Sequence, residues 1–130
     1  MSIESVIYDR LSGHAGLSAL VSTRVYPNVA PQNVTVPFVT YRRVSALRES
    51  GYGEDIGIVT SRFQIDMYAT TYSGVRAIAE QVRAATQRYR ASGTDPEVID
   101  TFIENELETF EAEPALLHHA VTDIRIHYRE

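Results

Sequence analysis

The sequence predicts an α+β fold: a single, mostly antiparallel β-sheet with two main helices packed on one face. Three observations point there. Residues 59–69 alternate strictly. Val59, Ser61, Phe63, Ile65, Met67 and Ala69 fall on one side, and Thr60, Arg62, Gln64, Asp66 and Tyr68 on the other, the period-two signature of a strand dry on one face and wet on the other. Val75, Ile78, Ala79, Val82, Thr86 and Tyr89 recur at three and four, the apolar stripe of a helix. The segments run in the order helix, strand, strand, helix, strand, strand, which suits one sheet with helices on one side. A length of 130 residues suits one domain, 1–130, with roughly two-thirds of its unfolded surface buried.

Taken in order, Ile3, Val6, Ile7 and Leu11 share a helical face, and Gly13 is a natural stop. Leu17, Leu20 and Val21 predict one or two further helical turns. Arg24-Val25-Tyr26-Pro27 reads as a very short strand. The loop after it holds Pro27, Pro31 and Pro37 and cannot sit mid-sheet, because proline lacks an amide donor. Residues 38–44 are β-branched and aromatic and read as a strand. Residues 46–57, with Gly51, Gly53 and Gly57 among Glu49, Glu54 and Asp55, read as a mobile loop that orders on assembly. Ser73 is the expected N-cap of the second main helix, and the turn at 92–96 ends it. A strand is expected over 97–110, with Ile99, Thr101, Ile103, Asn105 and Leu107 on one face and Asp100, Phe102, Glu104, Glu106, Glu108 and Phe110 on the other. After Pro114 a last strand runs from about Ala120 to Tyr128, with Ile124, Ile126 and Tyr128 on one face.

Charge is unevenly spread. All 12 basic residues are arginine. Residues 1–90 hold ten arginines against seven acids, a net of +3, and residues 91–130 hold two against ten, a net of −8. An acidic stretch of this kind repels nucleic acid. No apolar run approaches a membrane span. The start, Ser2-Ile3-Glu4, lacks the basic opening and apolar centre of a signal peptide.

No arrangement of residues points to catalysis. Without cysteine, disulfides and thiolate chemistry are excluded. There is no Gly-x-Ser-x-Gly elbow, and a phosphate loop needs a lysine that the chain lacks. Gly51-Tyr52-Gly53 opens no helix and is not a dinucleotide fingerprint. His119, Asp123 and His127 share a strand face and are the one set a metal reading could use, although three ligands on one strand are atypical. No cofactor is expected. Glu104, Glu106 and Glu108 form a ladder suited either to a solvated face or to the wall of a polar channel. Phe102 and Phe110, placed on that same face, call for a protein cover. With Arg42, Arg43 and Arg62, they are the candidate subunit or partner contacts.

The opening Ser2 to Leu11, then Leu17-x-x-Leu20-Val21, Arg24-Val25-Tyr26-Pro27, the Ala30-Pro31 step and Val36-Pro37-Phe38-Val39-Thr40-Tyr41 resemble the phage tail-completion, or tail-terminator, family. So do Phe63 to Tyr68 followed by a helix, and the ending Asp123 to Tyr128. The resemblance covers nearly the whole chain and is weakest over 91–113. It implies an α+β subunit of a homo-hexameric ring in the tail or neck of a virion assembled in the host cytoplasm. Such a ring caps the tail tube protein, ends tube polymerisation and presents a surface to a head connector or stopper protein, with DNA passing through the lumen unbound. It implies no reaction, cofactor or membrane. A lumen or rim placement is expected for Glu104, Glu106 and Glu108. A different connector or stopper of the neck, or a small metal- or ligand-binding domain, are the other classes the residues leave open.

Overall fold

The structure, a computed structural model, describes residues 2–112 and 116–130, apart from the side chains at 50, 51 and 54–56. It contains helices α1 (Ile3–Ser12), α2 (Ala15–Val21) and α3 (Tyr72–Thr86). The strands are β1 (Val25–Pro27), β2 (Phe38–Gly51), β3 (Glu54–Ala69), β4 (Glu97–Glu111) and β5 (Leu117–Arg129). They form one sheet in the order β1-β2-β3-β5-β4. Every pairing is antiparallel except that of β1 with β2.

The central strands follow the predicted period. Val59, Ser61, Phe63, Ile65, Met67 and Ala69 of β3 are all buried, as are Ala120, Thr122, Ile124, Ile126 and Tyr128 of β5. Val75, Ile78 and Val82 of α3 join them in one hydrophobic cluster with Ile3, Ile7 and Leu11 of α1 and Leu17 and Val21 of α2. This is the helix face of the sheet. The hydroxyls of Ser61 and Tyr128, buried within it, satisfy each other at 3.0 Å. The chain turns sharply from α1 to α2 at Gly13, where a Cβ would sit 2.8 Å from the Asp9 carbonyl oxygen.

The structure differs from the sequence reading at four places. First, residues 46–57 are not an irregular loop. β2 and β3 continue through them as a hairpin that turns at Tyr52-Gly53, with Gly53 and Gly57 at positive φ. Glycine therefore serves the turn and one irregular position within a hairpin. Second, the N-cap of α3 is Thr71, whose Oγ1 accepts from the Gly74 amide at 3.0 Å, and Ser73 lies inside the first turn. Third, α3 ends at Thr86, so Tyr89 packs from the following segment.

The fourth difference concerns the outer strands. β4 slips register between Val98 and Asp100, and again between Ile103 and Asn105. Each single-residue bulge exchanges the two faces for everything after it. Val98, Thr101 and Ile103 therefore point to the helix face, opposite Tyr128, Ile126 and Ile124, while Ile99 is exposed. Leu107, opposite Val121, is half exposed on the other face. β2 slips once in the same way, at Val44.

The cap assignment is testable. Thr71→Ala should lower stability by about 1 kcal/mol, the usual contribution of such a cap. Ser73→Ala should stay within about 0.5 kcal/mol. Urea midpoints of the two variants distinguish the positions, and equal losses would reject Thr71 as the cap.

Candidate functional site

With the helices on one side, the opposite, open face of the sheet carries the polar side chains of β2, β3, β5 and β4 in aligned rows. The row nearest the start of β2 is aromatic. Phe38 stacks on Tyr68 at 4.6 Å and Tyr68 on the His119 ring at 4.4 Å, and their backbones are paired in register. The next row brings Asp66 beside His119, with Oδ1 3.7 Å from Nε2. That separation is too long for a hydrogen bond, and among the described residues His119 Nε2 is buried without a partner. The Gln64 amide donates to Asp66 at 2.9 Å. Burial alone would raise the Asp66 carboxyl. The His119 ring and the Gln64 amide outweigh it, with help from Arg42, and hold the carboxyl below the usual carboxylate range.

Toward the other end of the face, Glu104 lies between two guanidinium groups, 3.2 Å from Arg62 Nε and 3.3 Å from Arg125 Nε. Phe102 lies beneath Arg88 at 4.8 Å and Arg125 at 5.5 Å, and meets the His127 ring edge-on. Arg88 also pairs with Asp100 at 3.0 Å. Each carboxylate of this region is shared by two guanidinium groups, Glu104 by Arg62 and Arg125 and Asp100 by Arg88 and Arg90.

The candidate residues are thus divided rather than gathered. The ladder is split by the bulge after Ile103. Glu104 is on the open face, whereas Glu106 and Glu108 lie opposite the buried Thr122 and Ala120 on the helix face. Glu108 pairs there with Arg76 of α3. Phe102 and Phe110 are separated for the same reason. Phe110 lies near the start of α3, its ring 6.1 Å from His118, which in turn meets Tyr72 at 6.0 Å. Arg42 points to the open face and bonds Gln64 at 3.4 Å, Arg43 points to the helix face 3.9 Å from Glu4, and Arg62 is held by Glu104 within its own subunit. His119, Asp123 and His127 sit four residues apart along β5, a rise of roughly 13 Å per step. Among the described residues no three metal-ligating side chains converge.

Sequence reasoning did not find the Phe38-Tyr68-His119 stack or the two guanidinium partners of Glu104, because both depend on cross-strand register. It also missed the protection of one sheet edge. The Arg88 amide donates to the Thr101 carbonyl at 2.8 Å, and Gln87 Oε1 accepts from the Ile103 amide at 2.9 Å. The segment after α3 thereby caps the first half of β4. A cavity of about 280 Å³ between α1 and this segment is filled at its rim by Arg10, which donates to the Ala85 carbonyl at 2.6 Å and lies 4.6 Å over Tyr89. Arg10 thereby clamps α1 to the end of α3 and the segment after it.

The depressed Asp66 carboxyl predicts a pH dependence. Its contribution to stability is fully present above the unfolded value of about 3.9 and is lost as pH falls through the lower folded value. Asp66→Asn should therefore lower stability near neutrality and flatten the loss below about pH 4. Denaturant midpoints measured down to about pH 3 report it, and identical pH slopes for the two proteins would reject the assignment.

Against known proteins, no curated protein matches the sequence. A chain in the solved structure of the "Virion of native gene transfer agent (GTA) particle" has the same fold, with a TM-score of 0.79 over 95% of this chain and 92% of that chain at 18% identity. Residues 5–129 match the family described as "Tail completion protein gp17". The chain belongs to that family and is a structural protein of a phage tail.

Proposed function

We propose that copies of this chain close into a ring, a homo-hexamer, at the head-proximal end of a tail. The ring caps the last layer of tail tube protein, ends tube polymerisation and presents the surface that a head connector or stopper protein joins. DNA passes through its lumen without specific binding. This role needs no reaction and no cofactor.

Family membership over residues 5–129 carries the reading. The charge distribution supports it. Arg42, Arg43 and Arg48 stand on β2, while Glu106, Glu108 and Glu111 stand on β4 at the opposite margin of the sheet. A ring is built from heterologous contacts that join one surface of a subunit to a different surface of the next, and unlike margins favour that arrangement over two-fold pairing. The open face suits a lumen lining, because each of Arg62, Arg125, Arg88 and Arg90 has a carboxylate neighbour, Glu104 or Asp100, that weakens its pull on phosphates.

In this reading Glu104 is the lumen carboxylate, and Glu106 and Glu108 stay behind on the helix face. Glu104→Gln would leave Arg62 and Arg125 unmatched on the open face. The isolated ring should then bind double-stranded DNA at low salt and release it steeply as salt rises. Glu106→Gln and Glu108→Gln should not. Native mass spectrometry shows whether the ring forms, and DNA retention by the three variants tests the lining. Equal DNA affinity in all three would reject the assignment of the open face to the lumen.

A further inference from the structure

Two edges of the sheet are covered at one end and bare beyond it, β2 by the short strand β1 and β4 by the segment after α3. β1 pairs only with residues 39–41 of β2, and the last bond on that side runs from the Asn28 amide to the Tyr41 carbonyl. Among the described residues, nothing pairs with the outer edge of β2 over 42–48. On β4 the Ala91–Val98 bridge, Arg88 and Gln87 cover the edge as far as Ile103, and none of the described residues covers 105–111. Bare edges of this kind are templates for another strand. They also carry exposed apolar side chains, with Leu47 70% and Leu107 50% exposed.

We propose that neighbouring copies join by antiparallel pairing of β2 residues 42–48 with β4 residues 105–111 of the next copy, so that the sheet runs on from subunit to subunit. The proposal rests on the ring reading above only in taking the partner to be a second copy of this chain.

Four features of the edges agree. The two bare stretches are seven residues each. Within the sheet β2 and β4 run antiparallel to one another through β3 and β5, so a neighbour in the same orientation offers an antiparallel edge. Side chains directly opposed across a strand pair must share a face. With Val44 as the bulge, the face rule is met when Leu47 lies opposite Leu107, both on the open face. That register also sets Arg42 opposite Glu111 and Arg43 opposite the Phe110 ring, and brings Arg48 (bonded to Glu130 in its own subunit) opposite Glu106. A shift by two residues sets Leu47 against Asn105 and Arg42 against Thr109, and loses both the apolar match and the charge match.

The geometry also closes. Leu107 shares its row with Thr40 through Val121 and Asp66, and Leu47 lies six rows further along β2, with the bulged Val44 not counted. Each subunit therefore steps roughly 20 Å along the strands for roughly 19 Å across four of them. That is a strand tilt of about 45°, at the upper end of the range for closed barrels.

The chain lacks cysteine, so a disulfide can report the contact in the full-length protein. In Leu47→Cys/Leu107→Cys the two thiols are three strands and six rows apart within a subunit, roughly 25 Å, and bridge only between copies. Mild oxidation should give a ladder of covalent oligomers ending at a closed species. Leu47→Cys/Glu106→Cys, with its thiols on opposite faces, should give none. Arg42→Glu and Glu111→Arg should each weaken association about fivefold, and their combination should restore it. If native mass spectrometry finds the oligomer but the first pair does not cross-link and the charge swap does not rescue, edge pairing is overturned while the ring stands. A protein that stays monomeric at every concentration overturns both.

Discussion

The dry layer between α3 and the two central strands is the constraint on which the rest depends. Phe63, Ile65 and Met67 of β3 and Ile124 and Ile126 of β5 are fully buried. They face a helix whose own stripe, Val75, Ile78 and Val82, is fixed by its 3.6-residue period. A one-residue slip in either strand would turn this entire set into water. The pairing of β3 with β5 accordingly runs from Ile58–Arg129 to Ala69–His118 without a break, and every single-residue irregularity falls to the strands outside it.

Those irregularities decide what the margins of the sheet present. Between Ile103 and Asn105 the extra residue sends Glu104 to the open face and Glu106 and Glu108 to the helix face. One stretch of acidic sequence thus serves two environments. Glu104 is shared by Arg62 and Arg125 on the open face, and Glu108 reaches the α3 surface at Arg76. Such exposed pairs contribute only about 0–1 kcal/mol apiece. Their consequence is distributional, since they set which charges remain for a neighbour.

What was legible in the sequence follows the same division. β3 and α3 could be read residue by residue, because burial on one face forces a clean period and nothing interrupts it. The face assignment of β4 could not, because a bulge leaves composition unchanged and shifts parity. The local trace is the apolar pair Val98-Ile99, standing together at the first bulge where alternation should part it. Glycine misled the reading of 46–57. Gly53 and Gly57 do adopt positive φ, yet one turn and one irregular position suffice to explain them inside a continuous hairpin. Thr71 and Ser73 are both competent caps by residue type. Only the position of the first helical amides separates them. The open-face stack of Phe38, Tyr68 and His119 joins residues from three strands and is invisible until their register is known. The charge asymmetry, by contrast, was plain in the sequence, because it needs no geometry.

The two capping devices are more informative than the bare edges they leave. β1 and the Gln87-Arg88 segment are short, cost the chain few residues and could each have been extended to shield a whole strand. They stop instead at opposite ends of the sheet, with β1 beside the start of β2 and Gln87-Arg88 beside the first half of β4. Had they stopped level with each other, successive subunits would stack without offset and the strands would lie parallel to the ring axis, a geometry that twisted sheets do not close into. Placed diagonally, they leave edges that can meet only with a stagger, and the stagger is the tilt a closed sheet requires. The same caps forbid the untilted alternative by occupying its hydrogen-bonding positions. On the proposed edge pairing, the place where the edge protection ends sets the stagger on which ring closure depends, and the bulges, by matching faces across the junction, favour that single register.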